Sequence, residues 1–170
     1  FPSMKGRDVV AIDLETCDTD LKKMGPGWPR KIGKVIGIAV SSGDFTAYYP
    51  IAHDGGGNMD SKVVLKYVKS ICEDESIQKV FHNAQYDIGW LSVLNIEVKG
   101  YIHDTMIAAA LLNENRYSFT LNSMVAEYLG EFKNESLLKA KAEELGIDPK
   151  AEMYKLPAEF VGEYAEADAR

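Results

Sequence analysis

The chain has few cysteines, no long apolar run and no excess of positive charge, and each shortage removes a class of protein. Cys17 and Cys72 are the only cysteines in 170 residues. With no CxxC and no Cys/His cluster, neither a disulfide framework nor a zinc site is implied, and an intracellular compartment fits. The longest nearly uncharged apolar run extends from Met106 to Leu112, far too short to span a bilayer, and no basic-then-apolar leader opens the chain. A soluble, unexported, cytoplasmic protein without a membrane partner is therefore expected. The net charge of -7 argues against a non-specific nucleic-acid coat protein, which would normally be basic. It leaves room for a protein that meets nucleic acid through bound cations and a local basic patch.

What is present is a chain that is 46% apolar, enough for one domain with a sizeable core. Near its start Val9-Val10-Ala11-Ile12 reads as a strand buried on both faces, and Asp13 and Glu15 sit where that strand ends. Residues i and i+2 of a strand point to the same face, so the two carboxylates project side by side and repel unless a positive charge lies between them. A divalent cation would supply that charge. Alone, such a pair more often marks a solvated strand end.

Residues 18–34 follow as a loop, with Gly25-Pro26-Gly27-Trp28-Pro29 at its centre forbidding a regular element. From residue 21 onward it carries Lys22, Lys23, Arg30, Lys31 and Lys34 and no acid. Basic groups around an exposed aromatic suit single-stranded nucleic acid, with Lys31 on phosphate and Trp28 on a base. The competing reading, a Trp28 folded back onto the core, stays open. Two β-rich runs separated by Ser41-Ser42-Gly43-Asp44 predict a hairpin, and His53-Asp54-Gly55-Gly56-Gly57 predicts a plain turn. Asp60 or Ser61 caps an amphipathic helix to which no chemistry is assigned.

A short strand then leads into a helix with Asn83 near its N-cap and Asp87 one turn in, on the same face. Asp104 is expected to cap the next helix and His103 to be structural. Two further helices end at Gly130 and Gly146, and Pro157 opens a last helix over residues 158–170. On it Tyr164 and Asp168 are four apart and therefore neighbours. The element order predicts an α/β fold, a mixed sheet of about five strands covered by helices.

An Asp-x-Glu at the first strand's end, an Asn-x-x-x-Asp opening a middle helix and a Tyr-x-x-x-Asp on the last helix resemble, in that order, the three motifs of the DEDD exonuclease superfamily in its tyrosine form. The resemblance runs from Asp13 to Asp168 and includes Asp13-Leu14-Glu15-Thr16, His82-Asn83-Ala84-Gln85-Tyr86-Asp87 and Tyr164-Ala165-Glu166-Ala167-Asp168. Asp104-Thr105-Met106 and Leu121-Asn122-Ser123 look like the proofreading domains of family-A DNA polymerases of phage and bacteria. The histidine form would need His where Tyr164 stands.

The resemblance implies a ribonuclease H-like sheet and a 3'-5' exonuclease that hydrolyses single-stranded DNA ends to nucleoside 5'-monophosphates. It implies two divalent cations, Mg²⁺ or Mn²⁺, hard ions that prefer carboxylate oxygens. Such an ion pair serves phosphodiester hydrolysis by activating water and neutralising charge on the attacking and leaving oxygens. Asp13, Glu15 and Asp168 would hold the ion that activates water, Asp13 would bridge to a second ion, and Asp87 would hold that one. Tyr164 would orient the water; with an ordinary pKa near 10 it is a poor base. Asn83 and the backbone beside Leu14 and Thr16 would position the 3' nucleotide.

Residues 1–170 are accordingly expected to be a single exonuclease domain cut from a longer polymerase of a bacterium or phage-infected cell, the polymerase domain being its partner in the parent chain. With Asp168 so close to the last residue, weaker metal binding than in the parent is expected. The alternatives are an RNase D-like exoribonuclease and a non-catalytic domain that only binds a primer strand. Sugar preference rests on pocket contacts that the sequence does not show.

Overall fold

Val9–Cys17 forms strand β1 in the computed structural model, which describes residues 1–170. It lies at the centre of a five-stranded sheet. On one side are β2 (Lys34–Ser42) and β3 (Phe45–Pro50), joined antiparallel, and on the other β4 (Gln78–Phe81) and β5 (Ile102–Asp104), joined parallel. The helices are α1 (Leu21–Met24), α2 (Ser61–Cys72), α3 (Ala84–Val93), α4 (Thr105–Leu112), α5 (Leu121–Tyr128), α6 (Ser136–Leu145) and α7 (Gly162–Ala169). This is the expected α/β fold with its mixed sheet. No helix is long and apolar enough to cross a membrane.

The sheet is covered on both faces, which is why β1 reads as a continuous apolar run. Val10, Ile12 and Leu14 point into one core with Val64, Val68 and Ile71 of α2 and Trp90 and Leu91 of α3. Asp60 accepts hydrogen bonds from the Lys62 and Val63 amides and so caps α2. The second core joins Ile36, Ala39 and Tyr48 of the sheet to Leu138 and Ala142 of α6 and to Ala165 and Ala169 of α7. Those two alanines, four apart, give α7 a small-residue face that lets it lie close on β1, β2 and β3.

Several local expectations are corrected. Residues 18–34 are not irregular throughout: a four-residue helix forms at Leu21–Met24 and a 3₁₀ turn at Trp28–Arg30, each too short to conflict with the flanking glycines and prolines. The last helix is split into a 3₁₀ turn at Ala158–Phe160 and α7 from Gly162. His53 is not a plain turn residue but is buried. Its Nδ1 lies 3.0 Å from the Leu156 carbonyl and its Nε2 2.7 Å from the Tyr48 hydroxyl. A carbonyl can only accept, so Nδ1 carries the proton and, on the neutral ring, Nε2 accepts from the phenol. Burial lowers the imidazole pKa and favours that neutral form.

Asn83 occupies the N-cap position of α3 but makes no side-chain cap bond and sits at φ 69°. The amides of Asn83 and Ala84 instead donate to the Asp104 carboxylate at 3.1 and 2.8 Å. Asp104 also caps α4, as expected, by accepting from the Met106 and Ile107 amides. One carboxylate thus satisfies two helix starts and leaves the Asn83 side chain free of capping.

Candidate metal centre

Alternation along β1 sends Asp13 and Glu15 to the face opposite Ile12 and Leu14, where α7 lies. Facing them on α7 is Asp168. One carboxylate oxygen from each of Asp13, Glu15 and Asp168 lies within 4.8 Å of the others. Asp87, in the first turn of α3, is buried nearby and feels the Asp13 charge, but it stands outside that tight trio.

Crowding of acids in a buried place shifts their protonation. Burial, and only then the neighbouring Asp13, pushes Glu15 up to about 8. Asp87 is likewise pushed up to about 8, by burial first and Asp13 second. Asp13 itself is pushed up to about 6 by burial, with the Lys133 ammonium pulling the other way. Tyr164 is raised above its ordinary range by burial and then by Glu15 and Asp13, so its hydroxyl keeps its proton.

The cluster fits hard divalent cations on three counts. Its donors are carboxylate oxygens. Glu15 Oε1 is buried without a hydrogen-bond partner, which is costly for a charged group and resolved by an ion. Lys133, from the segment between α5 and α6, inserts its ammonium against Asp168 Oδ1 and so marks the place of a positive charge.

Beside the cluster opens a cleft of about 1200 Å³. Leu14, Thr16, Asn83 and Tyr86 line one wall, and Lys22, Lys23 and Lys150 are also on its lining, as is Tyr164. The Tyr86 hydroxyl is 2.8 Å from Thr16 Oγ1 and donates to Asp18 Oδ2 at 3.1 Å; the same oxygen receives the Gly27 amide at 2.9 Å. That chain of bonds ties the basic loop to the wall. Trp28 and Lys31 do not line the cleft. Trp28 packs on the core against α3: a Cβ at Gly89 would fall 2.3 Å from its ring, so only glycine fits. The folded-back reading of Trp28 describes its position, and Lys31 is exposed elsewhere on the loop.

The structure thus brings Asp13, Glu15 and Asp168 together, sets Asp87 and Tyr164 beside them, and places Leu14, Thr16 and Asn83 on the adjoining wall. Lys133, Lys150 and Tyr86 were not singled out by the sequence. Tyr86 stands next to Asp87 in the His82-Asn83-Ala84-Gln85-Tyr86-Asp87 stretch, but the two lysines lie in stretches without periodicity and carry no signal of their own.

The family described as 3'-5' exonuclease matches residues 2–170. A DNA-directed DNA polymerase of Pseudomonas phage M6 is 40% identical over 100% of this chain and 26% of its own length. DNA polymerase I of Pseudomonas aeruginosa is 29% identical over 95% of this chain and 17% of its own. The chain therefore spans about a quarter or less of these curated relatives. Among solved structures, a Trypanosoma brucei RNase D complex with GMP is similar with a TM-score of 0.68 at 24% identity, covering 98% of this chain and 49% of that one. Brucella melitensis NrnC with bound Mg²⁺ gives 0.65 at 22% identity, covering 99% and 71%. These two likenesses concern the fold.

Proposed function

Because the chain belongs to the 3'-5' exonuclease family found in polymerase I-like proteins, we propose that it removes nucleoside 5'-monophosphates, one at a time, from single-stranded DNA 3' ends. The observation that carries this reading is the approach of carboxylate oxygens of Asp13, Glu15 and Asp168 to within 4.8 Å of one another, with Glu15 on the lining of the cleft. On this reading residues 1–170 act as the proofreading domain of a longer DNA polymerase in the cytoplasm of a bacterium or phage-infected cell. The 40% identity to a phage polymerase supports DNA over RNA as substrate.

Asp13, Glu15 and Asp168 would hold one divalent cation, Mg²⁺ or Mn²⁺, and Asp13 with Asp87 a second. Bound there, the cations supply charge neutralisation at the phosphate and lower the pKa of water. The residues of the chain do the rest. Tyr164, protonated throughout the neutral range, orients the attacking water by hydrogen bonding and does not serve as the base. Asn83, with its side chain free of capping, and the backbone at Leu14 and Thr16 line the position of the terminal nucleotide. Water oxygen bonds to phosphorus, the bond from phosphorus to the preceding 3' oxygen breaks, and the 5'-monophosphate leaves while that oxygen takes up a proton.

Incubation with Mg²⁺ or Mn²⁺ and oligonucleotides labelled at one or the other end tests this. A 5'-labelled strand should shorten in single-nucleotide steps, and a 3' label should appear at once as mononucleotide. Loss from the 5' end alone would overturn the polarity. Matched DNA and RNA strands in competition separate DNA proofreading from an exoribonuclease.

A further inference from the structure

The segment between α5 and α6 sends a buried charge to the carboxylate cluster that the proposed reaction does not use. Lys133 reaches out of it with its side chain only 7% exposed and ends against Asp168, whose side chain is 9% exposed. Its ammonium is 5.5 Å from the Tyr164 ring centroid and bears on both Asp13 and Glu15. A lysine is the last group a surface loop would bury without cause. Here the cause is the cluster itself.

We propose that Lys133 is a tethered counter-cation of the carboxylate cluster: it holds the acids together before divalent cations arrive and withdraws when they bind. The inference rests on the metal site proposed above. An ammonium seated against Asp168 Oδ1 and a metal ion bound there repel each other at close range, so each weakens the other's hold on that oxygen. A single positive charge among Asp13, Glu15, Asp168 and the nearby Asp87 leaves the site under-neutralised, so a doubly charged ion is the stronger occupant.

Withdrawal disturbs little of the fold. No backbone–backbone hydrogen bond involves residues 130–134, and the tie to α6 runs through the Asn134 side chain, whose Oδ1 accepts from the Ser136 amide at 3.1 Å and the Ser136 hydroxyl at 2.7 Å. Gly130, Glu131 and Phe132 are exposed, Gly130 at φ 68°. Asn134 is tied to α7 only through its side chain, donating to Glu163 Oε1 at 3.0 Å. The segment can therefore move without unpairing a strand or unwinding a helix. Lys133 is in this sense a positioning residue of the metal site and competes with the metal for the same oxygens.

Direct Mn²⁺ titration, followed by the signal of free Mn²⁺ in electron paramagnetic resonance, tests the competition on wild type, Lys133→Met, Lys133→Gln and Lys133→Arg, each with metal-free and Mn²⁺-loaded melting curves. The neutral variants should bind Mn²⁺ about fivefold or more tightly than wild type. They should melt lower without metal and gain more from Mn²⁺, while Lys133→Arg stays within about twofold of wild type. A lysine that merely braces the fold would weaken Mn²⁺ binding when removed. Unchanged or weaker binding in the neutral variants overturns the inference while the metal site stands. Absence of Mn²⁺ binding in folded wild type overturns the metal site and the inference with it.

Discussion

Glu15 stands directly opposite Gly37 across the pair of β1 and β2, and the next register pair, Thr16 with Val35, skips Ile36. The strand β2 therefore bulges at the second acid of the pair. Because of the extra residue, Ile36 and Gly37 turn toward the same side of the sheet: Ile36 joins the core under α7, and the phenol of Tyr48 lies over Gly37. The bulge gives Glu15 a neighbour without a side chain, and Tyr48 fills that space.

Gly37→Ala should therefore disturb the site from behind. A Cβ there would lie 2.0 Å from the Tyr48 hydroxyl and 2.2 Å from the ring carbon bearing it. Overpacking of this kind typically costs about 1–3 kcal/mol. Thermal or urea unfolding should show a loss of that size, together with weaker Mn²⁺ binding.

The metal-free domain should be most stable in mild acid. Glu15 and Asp87 are raised in the folded chain, chiefly by burial, from ordinary carboxylate values of 4.5 and 3.8 to about 8. A group raised on folding binds its proton more tightly in the native state. Its stabilisation is complete below the unfolded pKa and fades as pH rises through the folded one. Urea midpoints in chelator should thus fall between about pH 4 and pH 8. Glu15→Gln should flatten the upper part of that fall. A midpoint that rises over the same window would contradict the cluster's electrostatics.

Phosphate contacts should separate the lysines of the loop that line the cleft from the one that does not. Lys22→Ala with Lys23→Ala should weaken binding of a single-stranded oligonucleotide and reduce the slope of log affinity against log salt by roughly 1.4. Lys31→Ala should leave both within error, since Lys31 lies outside the cleft lining. Fluorescence anisotropy over a salt series reads both quantities.

What the sequence disclosed, and what it withheld, follows from the range of the interactions involved. The buried strand and its two acids were legible because periodicity of two and an unbalanced charge pair are local signals. Tyr164 and Asp168 were legible because helical spacing makes them neighbours whatever the rest of the chain does. The Asn83 cap misled because the fold holds Asn83 at φ 69°, outside the extended conformation of a capping residue, with its own amide on Asp104, 21 residues away. His53 looked like a turn because its partners include the Leu156 carbonyl, 103 residues downstream. Lys133 gave no sign at all: an unstructured segment has no period, and only the folded chain shows where its ammonium goes. The bulge at Ile36 is a property of pairing between strands, and neither strand shows it alone.

The most direct measurement of the central claim is stepwise shortening of a 5'-labelled single-stranded oligonucleotide, with mononucleotide release from a 3'-labelled one, in Mg²⁺ or Mn²⁺, comparing wild type with Asp13→Ala and Asp168→Ala. The account predicts release by wild type, at least about a hundredfold loss in each variant, and native circular dichroism in both. Equal release by folded wild type and both variants would contradict it.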